Sequence, residues 1–376
     1  MIKQYKNIKD KSLKIDWGKN WDDEATILNA LYTERVKLNN NNPIIDSIYQ
    51  FKAQTYNLTI LQKLTLWIIS FFGFIFLLIK YLIKKEKRNI TKYDFAYYYE
   101  DTILYNKNKN KKGVLIGLNQ GILKFQDLLF ISKLLLITKF NFSLLSIAIY
   151  RIATVRCSIS YGVSEIWTNM EFSAASGILK AYCKKNGLTL KNYMHGEKLL
   201  SLRDTFSSFD EFYVWNTHYE EMFKKLKCNS KIIVQDPWIE KELKTNYINN
   251  KTICYFLKGD ETIEEFNRLQ NIFNNLHEKN FTIFIKKHPR VKTLNIDIKN
   301  VEVLKDDTNI DYIFNQYYYI SSQYSTVLYR AHKLNLNILI DDISNPKIFQ
   351  AIKKRSYYLL SEDIPDYKLS TLIKNI

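Results

Sequence analysis

From residue 162 onward, short apolar runs alternate with longer stretches in which apolar residues recur every three or four positions. GVSEIWT (162–168), LTLKNYM (188–194), EFYVWN (211–216) and KIIVQ (231–235) read as buried strands. EFSAASGILKAYCKK (171–185) and THYEEMFKKLK (217–227) read as the helices between them. Thr168 or Asn169 is the expected cap of the first helix and Gly187 its stop. Asp236-Pro237 interrupts the alternation, residues 238–250 read as a connector, and the pattern then restarts. TICYFL (252–257), FTIFIK (281–286), VEVL (301–304), YYYIS (317–321), NILI (337–340) and SYYLL (356–360) are the expected strands. Helices fall at 262–279 and from about Thr326. Strand and helix alternating at this spacing predict an α/β fold with two Rossmann-like, parallel-sheet domains, spanning residues 91–236 and 237–376.

Residues 1–90 have a different texture. Leu64 to Ile79 carries no charge, and Lys80, Tyr81-Leu82-Ile83 and the basic run Lys84-Lys85-Glu86-Lys87-Arg88 follow. With Lys80 snorkelling, the apolar length reaches about 20 residues, the short edge of what spans a bilayer. The pattern predicts a membrane-associating helix over about 64–83, seated in the plane of the interface, with its basic hem on anionic headgroups. A helix buried within the protein or in an oligomer contact fits the same residues. The opening MIKQYKNIKDKSLKIDW is polar and charged where a signal peptide is apolar, so the expected location is the cytoplasmic face of the inner membrane, peripheral or monotopic. A further apolar stretch, Gly121 to Val155, has helical spacing and reads as core helices.

Charge narrows the partners. The 376 residues carry a formal charge of +17, which favours anionic partners. The basic residues are spread through helices and loops with no RNP, KH or zinc signature, which argues against nucleic acid. The four cysteines form no CxxC pair and read as reduced core residues in strands or helices. The absence of GxGxxG and GxxxxGKS disfavours dinucleotide and P-loop chemistry.

Ligands of parallel sheets bind beyond the carboxyl ends of the strands, and three polar clusters fall there. Lys286-Lys287-His288-Pro289-Arg290 follows FTIFIK directly, so a proline-fixed turn would present cations and a histidine to a phosphate. Ser321-Ser322-Gln323-Tyr324-Ser325-Thr326 lies between YYYIS and its helix, where hydroxyls and helix N-terminal N–H groups favour an anion. Met194-His195-Gly196-Glu197-Lys198 follows LTLKNYM, with Gly196 allowing a sharp exit from the sheet toward the second domain. His195 or Glu197 could take a proton from an acceptor hydroxyl. Arg203 and Asp204 follow in the same loop, and Glu165 and Glu171 flank the preceding strand end; any of these is a candidate base or substrate contact.

The His-Pro corner, followed some 35 residues later by the Ser/Thr-rich turn, resembles the nucleotide-binding half of bacterial sialyltransferases and related capsule or lipooligosaccharide glycosyltransferases of the two-Rossmann, GT-B type. The segment from Met194 to Phe223 resembles the histidine-glycine loop of capsule polysaccharide transferases. The resemblance implies that His288-Pro289 holds cytidine monophosphate and that Ser325-Thr326 binds its phosphate, with Lys286, Arg290 and Ser322 beside them. It also implies inverting transfer of a sialic acid or related sugar acid from a CMP-sugar donor to a glycan or glycolipid acceptor. An acidic Asp/Glu-Asp/Glu-Gly triplet supplies the base in those sialyltransferases, and this chain has none in its first domain. The base is therefore open between His195 and Glu197, with Asp204 next, and Lys198 or Arg203 is the expected partner of the sugar carboxylate. No Asp-x-Asp pair points to a metal, so no divalent ion and no cofactor are expected. Teichoic-acid-type transferases using a CDP-glycerol donor share the His-Pro corner and serine-rich turn and are the nearest rival. A non-catalytic basic protein of the membrane surface is the reading from another class.

Overall fold

The computed structural model describes residues 7–8, 21–38, 42–84, 91–100, 111–117, 120–237, 247–259, 261–288, 298–361 and 367–375. The chain divides into two compact units, Met1–His195 with Leu200–Asp236, and Gly196–Leu199 with Pro237–Ile376.

The first unit opens with three helices, α1 (Trp21–Lys37), α2 (Pro43–Gln54) and α3 (Ile60–Leu82). Strands β1 (Phe95–Tyr97) and β2 (Gly113–Leu115) follow, then helices α4 (Phe125–Ile137) and α5 (Phe142–Ile159). After them come β3 (Glu165–Thr168), α6 (Ser176–Lys185), β4 (Thr189–Tyr193), β5 (Glu211–Val214), α7 (Thr217–Lys225) and β6 (Lys231–Val234). The six strands form one parallel sheet in the order β2-β1-β3-β4-β5-β6. The order reverses between β1 and β3, the position at which a parallel sheet opens a ligand crevice. The second unit contains β7 (Thr252–Phe256), α8 (Ile263–Glu278), β8 (Thr282–Lys286), β9 (Glu302–Val303), α9 (Ile310–Gln316) and β10 (Tyr319–Ser322). It ends with α10 (Thr326–Lys333), β11 (Asn337–Ile340), α11 (Pro346–Lys354) and α12 (Leu369–Asn375). Its parallel sheet runs β11-β10-β7-β8-β9, with the fully buried β7 at the centre and the reversal between β7 and β10. The α/β class and the two Rossmann-like parallel sheets are thus present.

Several local expectations change. Strands β1 and β2 are additions, each three residues long. The helix expected from 171 starts at Ser176, because the Thr168 hydroxyl turns to the Asn192 side chain (3.0 Å) and caps nothing. Gly187 does end it, with φ of +71°. SYYLL is not a strand: Ser356 is left-handed (φ +58°), the Tyr357 N–H returns to the Ile352 carbonyl, and Tyr358–Leu360 winds into a 3₁₀ turn. Cys228 lies in the turn after α7 with its thiol 3.3 Å from the Ser207 and Ser230 hydroxyls, outside any strand or helix. Of the Gly121–Val155 stretch, α5 is a core helix, whereas α4 leaves Phe125, Leu129 and Leu136 exposed. Most of the basic hem, residues 85–88, and the connector residues 238–246 lie outside the described residues.

Two contacts fix the N-terminal helices to the sheet. Helix α2 packs on α6, and the Ser47 hydroxyl accepts from the Ile178 N–H at 2.9 Å. The approach is so close that a Cβ on Gly177 would stand 1.9 Å from the Pro43 carbonyl oxygen. Helix α3 packs lengthwise on α5, with Phe142 held among Trp67, Phe71 and Phe74. Gly177→Ala is expected to lower stability by about 2–4 kcal/mol, since neither backbone can yield. Gly73→Ala, in a helix interior with nothing within 4 Å of the added carbon, should be neutral or stabilising. Thermal denaturation of the two variants checks the contrast.

Candidate active site

In the first unit the chemistry gathers after β3 and β4. The Glu171 carboxyl is fully buried, and its Oε1 lies 3.0 Å from Nδ1 of the one-third exposed His195, close enough for an ion pair but off-line for a full hydrogen bond. Burying a carboxylate costs several kcal/mol unless polar partners replace its water. Asn192, buried in β4, is the central partner. Its amide donates to Glu171 Oε2 (3.3 Å), and its carbonyl oxygen accepts from the Thr168 hydroxyl (3.0 Å) and the Met170 N–H (2.8 Å). One side chain thereby fixes both the end of β3 and the carboxylate beyond it.

The N-terminal helices brace the same loop. On α2, the buried Ser47, Gln50 and Gln54 share one helical face. Gln50 donates to the Glu171 carbonyl (3.3 Å) and accepts from the Ser176 hydroxyl (3.0 Å). Gln54 donates to the carbonyls of Phe172 (2.6 Å) and Arg203 (2.9 Å). From α1, the buried Glu24 accepts from the Leu202 N–H at 2.8 Å. Arg203 and Asp204 are held beside this cluster: the Asp204 carboxyl, fully buried, accepts from Arg203 Nε and Nη2 at 3.0 Å each. The guanidinium lies over Phe172 (5.9 Å), whose ring in turn touches His195 (5.7 Å). His195, Arg203 and Asp204 are therefore neighbours, as their shared loop suggested. The sequence pattern offered Glu171 only as one of four residues open to a role as base or substrate contact, and gave Asn192 no role. The polar spacing 47, 50, 54 on an otherwise apolar helix is the signal that was there to be read.

Glu197 and Lys198 belong to the other unit. The Glu197 N–H donates to the Thr326 hydroxyl (3.2 Å), and the Glu197 carbonyl accepts from the Tyr324 phenol (2.8 Å). Both the Glu197 and Lys198 side chains are buried. Burial, and then the nearby Glu197 charge, push the Tyr357 phenol well above its usual pKa.

The second unit's strand ends hold the other predicted residues, several of them with structural duties. Lys286 reaches the carbonyls of Lys305 (2.7 Å) and Asp306 (2.8 Å), and Lys287 pairs with the Asp306 carboxylate (3.0 Å). Ser322 donates across the sheet reversal to the Phe256 carbonyl (2.8 Å). Ser325 is the N-cap of α10, accepting from the Val327 N–H (3.2 Å). His288 stands at the mouth of β8, half-buried, against Gly259 at the mouth of β7. Gly259 has φ of +92°, and a Cβ there would meet the His288 Cβ at 2.9 Å, so only glycine admits the imidazole. Sequence reasoning passed over Gly259. Pro289 and Arg290 lie outside the described residues. Below Gly259, the Glu261 carboxylate accepts from the N–H groups of Lys258 (2.5 Å) and Gly259 (3.1 Å), and burial raises its pKa despite them. Among the described residues, no three His, Cys, Asp or Glu side chains gather as a metal site would require.

No protein-family model and no curated protein matches the chain. Among solved structures it is similar to a UDP-N-acetylglucosamine 2-epimerase from Rickettsia bellii, at 13% identity and TM-score 0.43, over 76% of this chain and 95% of that one. It is also similar to the wall teichoic acid polymerase TagF, at 14% and 0.44, over 87% of each chain. The glycotransferase of kitacinnamycin is matched at 5% and 0.40, over 70% of this chain and 84% of that one.

Asn192→Ala strips partners from Thr168, Met170 and Glu171 together and is expected to destabilise by about 1–3 kcal/mol. Asn192→Asp keeps the shape but sets a second carboxylate against Glu171, and should cost at least as much at neutral pH. Paired melting curves check this, and protonation of the carboxyls at lower pH should narrow the gap between the Asn192→Asp variant and wild type.

Proposed function

We propose that the protein is a glycosyltransferase of the two-Rossmann type that moves a nucleotide-activated group onto a hydroxyl acceptor. The observation that carries this reading is the buried Glu171 carboxylate beside the half-open imidazole of His195, at the carboxyl end of a parallel sheet. A carboxylate beside Nδ1 positions the ring, leaving Nε2 to accept the proton of an attacking hydroxyl. This favours His195 over Glu197 as the general base, since the Glu197 backbone is bound up with Thr326 and Tyr324. Asp204 holds Arg203 and is a positioning residue.

The donor nucleotide is assigned to the second unit, where His288, seated against Gly259, and the first turn of α10 supply an imidazole and N–H groups for a departing phosphate. Lys286 and Ser322 shape that end of the sheet through the bonds described above. The specific donor proposed from the sequence is a CMP-activated sugar acid, and the acceptor a cell-surface glycan. One observation favours the CDP-glycerol alternative: Arg203, a candidate partner for a sugar carboxylate, is already paired with Asp204 through two hydrogen bonds.

Thermal stabilisation of the detergent-purified chain by CMP, CDP, UDP, GDP and ADP, with and without magnesium, separates the readings. A selective rise with CMP supports the sugar-acid donor, a rise confined to CDP supports the glycerol phosphate donor, and equal or absent responses overturn nucleotide-dependent transfer. His288→Ala should abolish the response. His195→Ala and Glu171→Gln should preserve it while turnover falls on the order of 10²–10⁴-fold. Unchanged turnover in both would remove the base from this pair.

A further inference from the structure

Helix α3 buries only a narrow stripe, Leu66, Ser70, Phe74 and Tyr81, against the first unit. Its opposite face exposes Ile60, Leu64, Ile68, Phe72, Phe76 and Ile79. That face does not end with the helix. Trp67 donates through its indole to the Phe140 carbonyl (3.0 Å), just past the end of α4, and the Leu123 N–H, just before α4, donates to the Tyr81 carbonyl (2.9 Å). The two helices are thus joined at both ends and run in opposite directions. Helix α4 adds Phe125, Leu129, Leu136 and Phe140 to the exposed apolar surface. It is rigidly mounted, because its buried Asp127 accepts from Arg156 of α5 (2.9 Å) and the Tyr182 phenol of α6 (2.7 Å).

The charges around this surface have one sign. Between Ile60 and Lys84, and between Lys124 and Phe140, the only acidic residue is the buried Asp127, whereas Lys63, Lys80, Lys84, Lys124, Lys133 and Lys139 border the apolar face. Beside the Trp67–Phe140 bond, a cavity of about 580 Å³ is lined by Lys63, Leu66 and Trp67 of α3, by Thr138 and Lys139 after α4, and by Glu34 of α1 and Lys52 of α2, which pair with each other at 3.1 Å, so Lys63 and Lys139 supply its net positive charge. An apolar face bordered by these lysines complements an anionic lipid leaflet. A second protein copy presenting the same face would bring like charges together.

We propose that α3 and α4 together form a seat lying in the plane of an anionic phospholipid leaflet, with one lipid headgroup phosphate received in the cavity between Lys63 and Lys139. The seat is built from both helices and does not depend on the donor or the reaction. Helix α3 is long and apolar enough to cross a bilayer. Its lengthwise packing on α5 and its two end bonds instead keep it on the surface of the folded unit.

The test is flotation of the detergent-purified full chain with vesicles of phosphatidylcholine alone or with about a quarter phosphatidylglycerol. Phe72, Phe76, Leu129 and Leu136 are 67, 65, 65 and 69% exposed, so charging them leaves the interior intact. Wild type should float with the anionic vesicles and lose binding as salt rises. Phe72→Glu with Phe76→Glu, and separately Leu129→Glu with Leu136→Glu, should each reduce partitioning about tenfold. Lys63→Glu with Lys139→Glu should erase the preference for anionic lipid. If the Leu129/Leu136 pair floats like wild type while the Phe72/Phe76 pair does not, α3 acts alone as a span and the two-helix seat is wrong. Wild type that ignores vesicles and scatters light as a dimer, dissociated by the same changes, would make this face a contact between chains. Melting curves of the variants in detergent, matched to wild type, exclude unfolding as the cause of lost flotation.

Discussion

A carboxylate with no exposure to water must be surrounded by donors, and the first domain is arranged around that requirement at Glu171. Asn192 supplies an amide from the neighbouring strand, and Gln50 holds the residue's backbone from α2. His195 supplies a partner with access to solvent. Because Asn192 also anchors Thr168 and Met170, the carboxylate's position is tied to the end of β3 itself. The helices before the sheet belong to the same bracket: Gln54 and Glu24 hold the Phe172 and Arg203 segments in place. What resembles a dispensable N-terminal extension is a wall of the candidate site.

The second domain solves a different problem, that of bringing an imidazole to a strand end without a clash. The left-handed Gly259 leaves the room that His288 fills, and Glu261 fastens the same turn from below. Two of the hydroxyls near it are committed to the fold. Ser322 ties β10 to β7 and Ser325 caps α10. A hydroxyl-rich turn can therefore hold an anion with few of its hydroxyls touching it.

The two sheets were legible because eight of their strands, β3 to β8, β10 and β11, run four or five residues at crossover spacing, and the central β7 is buried along its whole length. β1 and β2 escaped because three residues carry no period. SYYLL escaped because a left-handed serine, invisible in its residue type, turns the chain into a 3₁₀ coil. At the site, His195, Arg203, Asp204 and His288 were legible from their place after strands. Glu171 and Asn192 were harder, since their roles arise from partners 21 and 121 residues away in the chain. Lys286 was misleading for the opposite reason: a cation after a strand looks like a phosphate ligand, but here two carbonyls of the next turn occupy it.

Helix α2, which braces the Glu171 loop, and α3, whose exposed face is apolar, are separated only by the turn from Thr55 to Thr59. Thr55 closes α2 by donating to the Phe51 carbonyl, and Thr59 opens α3 through a capping box with Gln62, so the turn is pinned at both ends. Any force on α3 is then delivered to the helix whose Gln50 and Gln54 hold the carbonyls of Glu171, Phe172 and Arg203. The connection links the loop that carries Glu171 to the exposed apolar face of α3. Under the proposed function that link matters, because the height and angle of a base above the proposed leaflet decide which hydroxyl it reaches.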